Sequence, residues 1–283
     1  MNLRLHIPTH SKPPNTKITL TATADSGLNF RRKLLYLQSL KINPAKAIHR
    51  NPNLRSAPLS TFHSVAQCLS SMGLETSAVG RILDMHPELL TADPYSDIYP
   101  ILDFLLNSVG IPFPDIRKSL IRCPRLLVSD PEARLKPAFE FLTGLGFSGP
   151  NRLTFQTALL LVSSVDFTLI PKIDFLLGLG FEYEEMRNMV LRCPCLLTLS
   201  VENNYRPKVE YFLKEMNGDL EEIKVFPQYF SFSLERKIKP RHRLLMEHGF
   251  SMTLSNMLKV SDGEFNARVI DRWLRVVEEK AAL

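Results

Sequence analysis

Apolar positions recur along most of the chain at intervals of 33 to 37 residues. Each copy starts at an anchor residue, and in the last five copies two apolar residues follow at plus two and plus three. The anchors, proline in all but one copy, are Pro52, Pro87, Pro124, Ala158, Pro194 and Pro227. The apolar pairs are Leu89-Leu90, Leu126-Leu127, Leu160-Leu161, Leu196-Leu197 and Tyr229-Phe230. Self-similarity at a fixed period of this length predicts a stack of structural repeats.

Other positions recur in the same register. A residue suited to cap a helix N-terminus stands at plus six, in Asp93, Asp130, Ser164, Ser200 and Ser233. A second proline stands at plus thirteen, in Pro100, Pro137, Pro171, Pro207 and Pro240. A second apolar pair begins at plus seventeen, and most copies then reach a glycine, in Gly110, Gly146, Gly180 and Gly249. Capping side chains, prolines and glycines at fixed places predict where helices begin and end.

Each copy is predicted to contain three short helices. One follows the second proline, has apolar residues at helical spacing and stops at the glycine. The next, such as residues 115–122, ends where the following anchor proline would clash with its last turn. The third is a capped turn between the two prolines. Because one copy is too small to bury its own apolar face, the copies must pack on their neighbours. We therefore expect an all-α solenoid.

This pattern resembles the mTERF family, the mitochondrial transcription termination factors, from about Asn51 to Trp273. The resemblance rests on Leu-x-x-x-Pro-x-Leu-Leu, followed by Lys-Pro and Phe-Leu, as in residues 120–142. The chain departs from the pattern at Ala158, at Tyr229-Phe230 and at Met216-Asn217. The resemblance implies a helical superhelix and a role in organellar gene expression, through transcription termination or regulation on double-stranded DNA. Transcript maturation or intron splicing through RNA is the alternative that it leaves open.

Both ends of the chain differ from the repeats. Residues 1–28 are rich in hydroxyl groups and poor in acids, which is typical of an organelle transit peptide or of a disordered tail. Threonine outnumbers arginine there, which favours the plastid over the mitochondrion. Residues 29–59 hold basic side chains and no acid, and belong either to the repeat array or to a long transit peptide. Residues 262–280 are predicted to form a final helix that closes the core with Phe265, Val269 and Trp273.

The positive charge is concentrated near the N-terminus. The net charge of the whole chain is +6, but residues 1–74 hold ten Lys/Arg and one acid, so residues 75–283 carry −3. Binding of nucleic acid must therefore depend on where the cations of the repeats lie, and not on their total. No apolar run is long enough to predict a membrane span.

Cations recur at two places in the repeat and form the predicted nucleic-acid-binding site. Near the second proline stand Arg134, Lys136, Lys172, Arg206, Lys208, Arg236, Lys237, Lys239, Arg241 and Arg243. Just before the anchors stand Arg122 and Arg192. Equivalent positions of stacked repeats line up along one edge, where a row of cations could follow a phosphate backbone. The alternative is that these cations pair with Glu132, Glu202 and Glu235 and only solvate that edge.

Other chemistry is poorly supported by the sequence. The run Gly144-Leu-Gly146-Phe-Ser-Gly149 matches a dinucleotide fingerprint, but a helix precedes it where that fingerprint requires a strand. Cys193-Pro-Cys195 lacks the second pair of ligands that a structural zinc needs. The sequence therefore predicts no cofactor, no metal site and no catalysis.

We therefore expect a plastid protein, with the mitochondrion as the alternative, that binds nucleic acid along a basic edge. Double-stranded DNA is the preferred partner and RNA the alternative, and organellar gene-expression proteins are further candidate partners. A non-catalytic protein-interaction scaffold is the rival from another class, because solenoids offer a concave surface to other proteins.

Overall fold

A computed structural model describes the backbone of residues 20–281 and the side chains of residues 27–278. Within that part of the chain the structure is helical and contains no strand. The α-helices are α1 (Leu20–Ser39), α2 (Pro44–Arg50), α3 (Leu59–Ser71), α4 (Thr76–Met85), α5 (Tyr99–Asp103), α6 (Phe113–Arg122), α7 (Lys136–Gly144), α8 (Ile170–Gly178), α9 (Tyr183–Arg192), α10 (Arg206–Lys214), α11 (Leu220–Val225), α12 (Lys239–Glu247), α13 (Leu254–Leu258) and α14 (Asp262–Ala281). None of these described helices is both long and apolar enough to cross a membrane.

A 3-10 turn begins at every anchor residue, and we call it the anchor turn. The anchor turns are Pro52–Arg55, Pro87–Thr91, Pro124–Val128, Ala158–Val162, Pro194–Thr198 and Pro227–Ser231. Another short 3-10 turn lies at Gly149–Asn151. In five copies an α-helix stops just before the anchor proline, as predicted. Before Ala158, which replaces proline, residues 152–157 form no α-helix.

The described chain falls into two compact units, Met1–Pro94 and Tyr95–Leu283. The first contains α1 to α4, so most of residues 29–59 are folded into α1, α2 and the first anchor turn. Residues 1–19, most of the predicted transit peptide, lie outside the described residues, and residues 20–28 are the first part of α1. The second unit contains α5 to α14, and in it the anchor turn Pro124–Val128 contacts Ala158–Val162 and Pro194–Thr198 contacts Pro227–Ser231. Repeats therefore stack on their neighbours, which confirms the predicted all-α repeat fold.

The predicted third helix of each copy is instead a π turn that runs directly into the next α-helix. In the copy around Pro124 the Asp130 side chain accepts a hydrogen bond from the Ala133 N–H at 2.7 Å. The N–H of Leu135 then reaches back five residues to the Asp130 carbonyl at 3.1 Å. Pro137, the second residue of α7, has no N–H to donate, and its ring would clash with the carbonyl four residues earlier. A wider turn accommodates this proline inside a continuous helical segment.

Each copy with a second proline has this wide turn just before it. These π turns are Pro94–Ile98, Pro131–Leu135, Val165–Leu169, Val201–Tyr205 and Leu234–Ile238, and one further π turn, Phe104–Ser108, follows α5. In three of the five, the plus-six serine caps the turn as predicted, with Ser164, Ser200 and Ser233 accepting from a backbone N–H three residues later.

The apolar pairs of the anchor turns form the core. Leu126 and Leu127 are buried, as are their counterparts in the other copies with such a pair. In the last copy the pair is Tyr229-Phe230, and the larger side chains remain buried because their polar atom finds a partner: the Tyr229 hydroxyl donates to the Lys208 carbonyl at 2.9 Å. The departure from leucine is therefore compatible with the same packing.

The final helix, α14, closes the core over less of its length than predicted. Phe265 and Val269 are buried, but Trp273, expected on the same buried face, is 46% exposed. Beyond Val269 no described side chain of α14 is buried. The expectation for Trp273 was wrong because this part of α14 extends past the core of the last repeat.

A residue with positive φ ends most of the helices that follow a second proline. Glycine occupies this place at Gly110, Gly146, Gly180 and Gly249. After α1 the same left-handed backbone is found at Lys41, with φ of 59°. The left-handed region costs roughly 1–2 kcal/mol for a residue with a β-carbon. Lys41 is exposed, so this cost is not offset by packing of its side chain.

Replacing Lys41 by glycine is therefore expected to raise the free energy of unfolding, by up to about 1 kcal/mol. Urea unfolding followed by circular dichroism measures the change. Gly180→Ala makes the opposite change and should lower the free energy of unfolding, because Gly180 has a positive φ of 98°. No atom lies within 4 Å of the added β-carbon, so the variant affects the backbone alone. Loss of stability in Lys41→Gly would contradict this account of the turn.

Candidate nucleic-acid interface

Three cations of the predicted basic edge are buried. Lys172, Lys208 and Arg241, each directly after a second proline, are only 8%, 5% and 4% exposed. The Nζ of Lys172 donates to the Leu197 carbonyl at 2.5 Å, and the Nζ of Lys208 donates to the Phe230 carbonyl at 2.6 Å. Both carbonyls belong to the anchor turn of the next copy. The expectation that these side chains lie on an exposed edge is wrong.

Arg241 makes the corresponding contacts at the end of the array. Its guanidinium donates to the Met257 carbonyl at 2.5 Å and to the Val260 carbonyl at 3.1 Å, and it pairs with Asp262 at 2.5 Å. In the first unit, Lys33 donates to the carbonyls of Leu54 and Arg55 at the end of the first anchor turn. We call Lys33, Lys172, Lys208 and Arg241 the bridging cations. Carbonyl groups at the end of a short helix lack partners within it, so a donor from the neighbouring element is required when they are buried.

Burial changes the titration of the bridging lysines. Desolvation disfavours the charged ammonium group and lowers the pKa of Lys33, Lys172 and Lys208. For Lys208 the pKa falls to about 8, and the nearby Cys195 opposes that fall. These side chains therefore serve the packing of one repeat on the next and are not available to a phosphate.

The cations directly before the second proline are paired with acids. Lys136 contacts Glu132 at 3.1 Å, Arg206 contacts Glu202 at 2.9 Å and Lys239 contacts Glu235 at 2.5 Å. Each pair joins residues four apart on one helical face, as the alternative interpretation of the sequence proposed. Such pairs at the protein surface are screened by solvent and contribute little to stability. They also neutralise much of the charge that this edge would offer to a phosphate.

The remaining members of the predicted cluster have different surroundings. Lys237 lies 4.7 Å from the centre of the Phe232 ring and donates to the Val260 carbonyl at 3.3 Å. Arg236 and Arg243 are exposed. Arg243 lines a shallow depression together with Lys239 and His242. The densest basic run of the sequence is thus divided between a buried contact, a ring contact, an ion pair and two exposed arginines.

The second predicted row is brought together in one cleft. Arg122 and Arg192, the last residues of α6 and α9, line a cavity of about 380 Å³ with Thr157 and Thr198. An adjoining cavity of about 350 Å³ shares Leu159 and Thr198 with the first and adds Arg125 and Arg134. We call the two together the arginine cleft, defined by Arg122, Arg125, Arg134 and Arg192. It follows the anchor turns of three successive copies.

The arginines of this cleft are exposed, and none of them forms an ion pair with a carboxylate in the described part of the chain. Arg192 is positioned by backbone carbonyls instead: its Nε donates to Asn188 at 3.3 Å and a terminal nitrogen donates to Lys224 at 2.5 Å. A cation at a helix C-terminus is also favoured by the helix dipole. The other terminal nitrogen of Arg192 donates to the Val225 carbonyl at 3.5 Å, so donors that match phosphate oxygens in a bidentate geometry are offered mainly by Arg122, Arg125 and Arg134.

Arg125 was not among the predicted site residues. It stands at plus one, where the other copies have Glu88, Leu159, Cys195 and Gln228, so no periodic signal marks it. The cleft arises because the position before the anchor and the position after it face the same groove. Among the described residues no group of three or more side chains suitable for holding a metal ion is found.

The chain is similar in sequence to a known protein family and to several plant proteins. The family model described as mTERF matches residues 104–266, more than half of the chain. Transcription termination factor MTERF4, chloroplastic, of Oryza sativa subsp. japonica is 38% identical over 85 residues, which are 30% of this chain and 16% of that protein. Transcription termination factor MTERF2, chloroplastic, of Arabidopsis thaliana is 38% identical over 90 residues, 32% of this chain and 14% of that protein.

A weaker match is Transcription termination factor MTEF18, mitochondrial, of Arabidopsis thaliana, which is 33% identical over 73 residues, 24% of this chain and 13% of that protein. Each matched stretch thus spans less than a fifth of the relative's length.

The buried position of Lys208 predicts a pH dependence of stability. The pKa of a lysine is near 10.4 in an unfolded chain and about 8 for Lys208 in the folded protein, so between these values the unfolded state binds more protons. The free energy of unfolding of the wild type should therefore rise, relative to Lys208→Met, as pH increases from about 8 to about 10.

Urea unfolding of both proteins across this pH range measures the difference. Arg206→Met is the control, because Arg206 is exposed on the same helix and an arginine stays charged throughout the range. The difference in the free energy of unfolding between Arg206→Met and the wild type should therefore not change with pH. If the wild type gains no stability relative to Lys208→Met as the pH increases, Lys208 is not desolvated in the folded protein.

Proposed function

Because the chain belongs to the mTERF family, we propose that it binds nucleic acid through the arginine cleft and regulates transcription in an organelle. Double-stranded DNA is the proposed ligand. The observation that carries the proposal is the convergence of four exposed arginines, none paired with a carboxylate of the described residues, along successive anchor turns.

Electrostatics favours this place over the rest of the repeat body. Residues 75–283 carry a net charge of −3, so the body as a whole does not attract a polyanion. The cations directly beside the second proline are buried or paired, whereas the arginines of the cleft are paired with no carboxylate of the described residues. Affinity for nucleic acid comes mainly from neutralising phosphates and releasing their counterions, and the cleft is where the chain can do so.

The composition of the cleft favours a duplex over a single strand. Its lining consists of arginine, hydroxyl, thiol, amide and aliphatic side chains together with the buried Lys172, and no aromatic ring is among the described lining residues. Proteins that bind single strands commonly stack the bases on aromatic rings. A duplex presents phosphates in a regular array, which arginines and hydroxyl groups can contact without exposed bases.

We further propose that the protein acts in the plastid and is not an enzyme. The N-terminal composition and the chloroplastic relatives support the plastid, while the mitochondrial relative keeps the mitochondrion as the alternative. The relatives are named as transcription termination factors. RNA binding in transcript maturation and a protein-interaction scaffold are the competing functions that the following experiment separates.

The double variant Arg122→Gln/Arg192→Gln is expected to bind duplex DNA more weakly, by about tenfold for each phosphate contact that is lost. The dependence of log K on log salt should become shallower by about one unit per contact, on all DNA sequences alike. Fluorescence anisotropy of the full chain with labelled duplex, at several salt concentrations, measures both quantities.

Arg206→Gln is the matched control, because Arg206 is an exposed arginine paired with Glu202 and should leave affinity unchanged. The same titration with single-stranded RNA of the same sequence decides between the ligands, since tighter binding of RNA would favour transcript maturation. Absence of binding to either nucleic acid would favour the scaffold. Unchanged binding in the double variant would remove the cleft from the interface.

A further inference from the structure

Two thiols lie side by side in the wall of the arginine cleft. Cys193 and Cys195, on either side of Pro194, both line the cavity that Arg122 and Arg192 share. Their sulfur atoms are 3.1 Å apart. The Sγ of Cys195 also lies 3.1 Å from the Oγ of Ser231 in the next anchor turn. The function proposed above gives this pair no role.

The backbone of the anchor turn brings the two sulfurs together. Cys193 directly follows α9 with φ of −137° and ψ of 71°, and the turn then starts at Pro194. Cys123 has nearly the same backbone, φ of −136° and ψ of 80°, before Pro124. There, however, the residue two places on is Arg125 and not a cysteine. The geometry therefore belongs to the repeat, whereas the thiol pair belongs to the copy at Pro194.

We propose that Cys193 and Cys195 form a redox-active dithiol that closes to an intramolecular disulfide, and that closure strengthens binding of nucleic acid in the arginine cleft. The oxidant is a disulfide of a small-molecule or protein thiol. The effect on binding rests on the proposed function, whereas the formation of the disulfide does not.

The surroundings of the two thiols assign their roles. Cys195 is partly exposed and Cys193 is buried. The hydrogen bond between them lowers the pKa of Cys195 and, together with burial, raises the pKa of Cys193. Cys195 is therefore the thiolate that a dissolved disulfide meets first, and Cys193 is the resolving thiol beside it.

The exchange balances in two steps. The Cys195 thiolate attacks one sulfur of the oxidant, a mixed disulfide forms, and the other half of the oxidant leaves as a thiolate. Cys193 then loses its proton and attacks the Sγ of Cys195, and the second half of the oxidant leaves as a thiolate. The protein dithiol gives up two electrons and two protons in total, and the oxidant becomes two thiols.

Closure changes the charge of the cleft. In the reduced protein the Cys195 thiolate places a negative charge in the same cavity as Arg122 and Arg192, where it opposes an entering phosphate. A disulfide carries no charge, so oxidation removes this repulsion. For charges several ångströms apart at a protein surface, the change corresponds to a gain in affinity on the order of fivefold near neutral pH.

Mass spectrometry tests the dithiol. The full chain is equilibrated in mixtures of reduced and oxidised glutathione, alkylated and digested with trypsin. The peptide that begins at Cys193 contains both thiols and no other cysteine. It should lose two hydrogens and escape alkylation as the mixture becomes oxidising. Cys123 is the matched control, since it has the same backbone but no second thiol two residues away, and its peptide should not close.

Binding of labelled duplex DNA to the two forms tests the consequence. The oxidised form should bind about fivefold more tightly than the reduced form. Cys195→Ser removes the thiolate without forming a disulfide, so it should match the oxidised form and no longer respond to glutathione. Cys193→Ser should not close and should yield only the mixed disulfide.

The formation of the disulfide and its effect on binding can be refuted independently of each other. A peptide that remains alkylated, or that carries only glutathione, would overturn the dithiol whatever the binding shows. A disulfide that leaves affinity unchanged or lowers it would overturn the effect on the cleft. If neither form binds nucleic acid, the proposed function and the effect on binding both fail, while the glutathione titration still decides whether the dithiol exists.

Discussion

Buried carbonyl groups at the end of an anchor turn are the constraint on which repeat packing depends at Pro52–Arg55, Pro194–Thr198 and Pro227–Ser231. A short 3-10 turn leaves these oxygens without donors of its own, and burial makes an unpaired oxygen costly. The chain supplies a lysine or arginine from the preceding copy, as Lys208 does for Phe230 and Lys172 does for Leu197. One interaction thus satisfies the turn and fixes one repeat against the next.

This constraint explains why the most basic stretch of the sequence is not the most basic surface. A cation directly after the second proline, as Lys172, Lys208 and Arg241 are, is placed on the face that packs against the next copy, and a cation directly before it pairs with an acid four residues earlier. In the groove beside the anchor turns no arginine pairs with a carboxylate of the described residues, although Arg192 donates to the carbonyls of Lys224 and Val225. Arg122, Arg125 and Arg192 are exposed there because the helix ends and the turn project away from the core.

In the groove the copies share one backbone conformation but differ in their side chains. The backbone at Cys123 and Cys193 is nearly identical, because a helix must stop before each anchor proline. The side chains at the flanking positions are free to differ, and the copies carry arginine at one place and a second cysteine at another. The charge and the thiol chemistry of the cleft therefore depend on the side chains of individual copies, whereas the backbone is common to the copies.

The sequence was enough to predict the period, the positions of the six anchor residues, the capping serines and the apolar pairs, since prolines, glycines and capping side chains act on the local backbone. It also identified Arg122 and Arg192 as a row. Packing in three dimensions buries Lys172, Lys208 and Arg241, exposes Trp273 and brings Arg125 into the cleft. It also makes the capped turn a wide helical turn that is continuous with the next helix. The physical reason is that a position in a repeat does not specify which face meets the neighbouring copy; that is settled by where buried backbone oxygens need a donor.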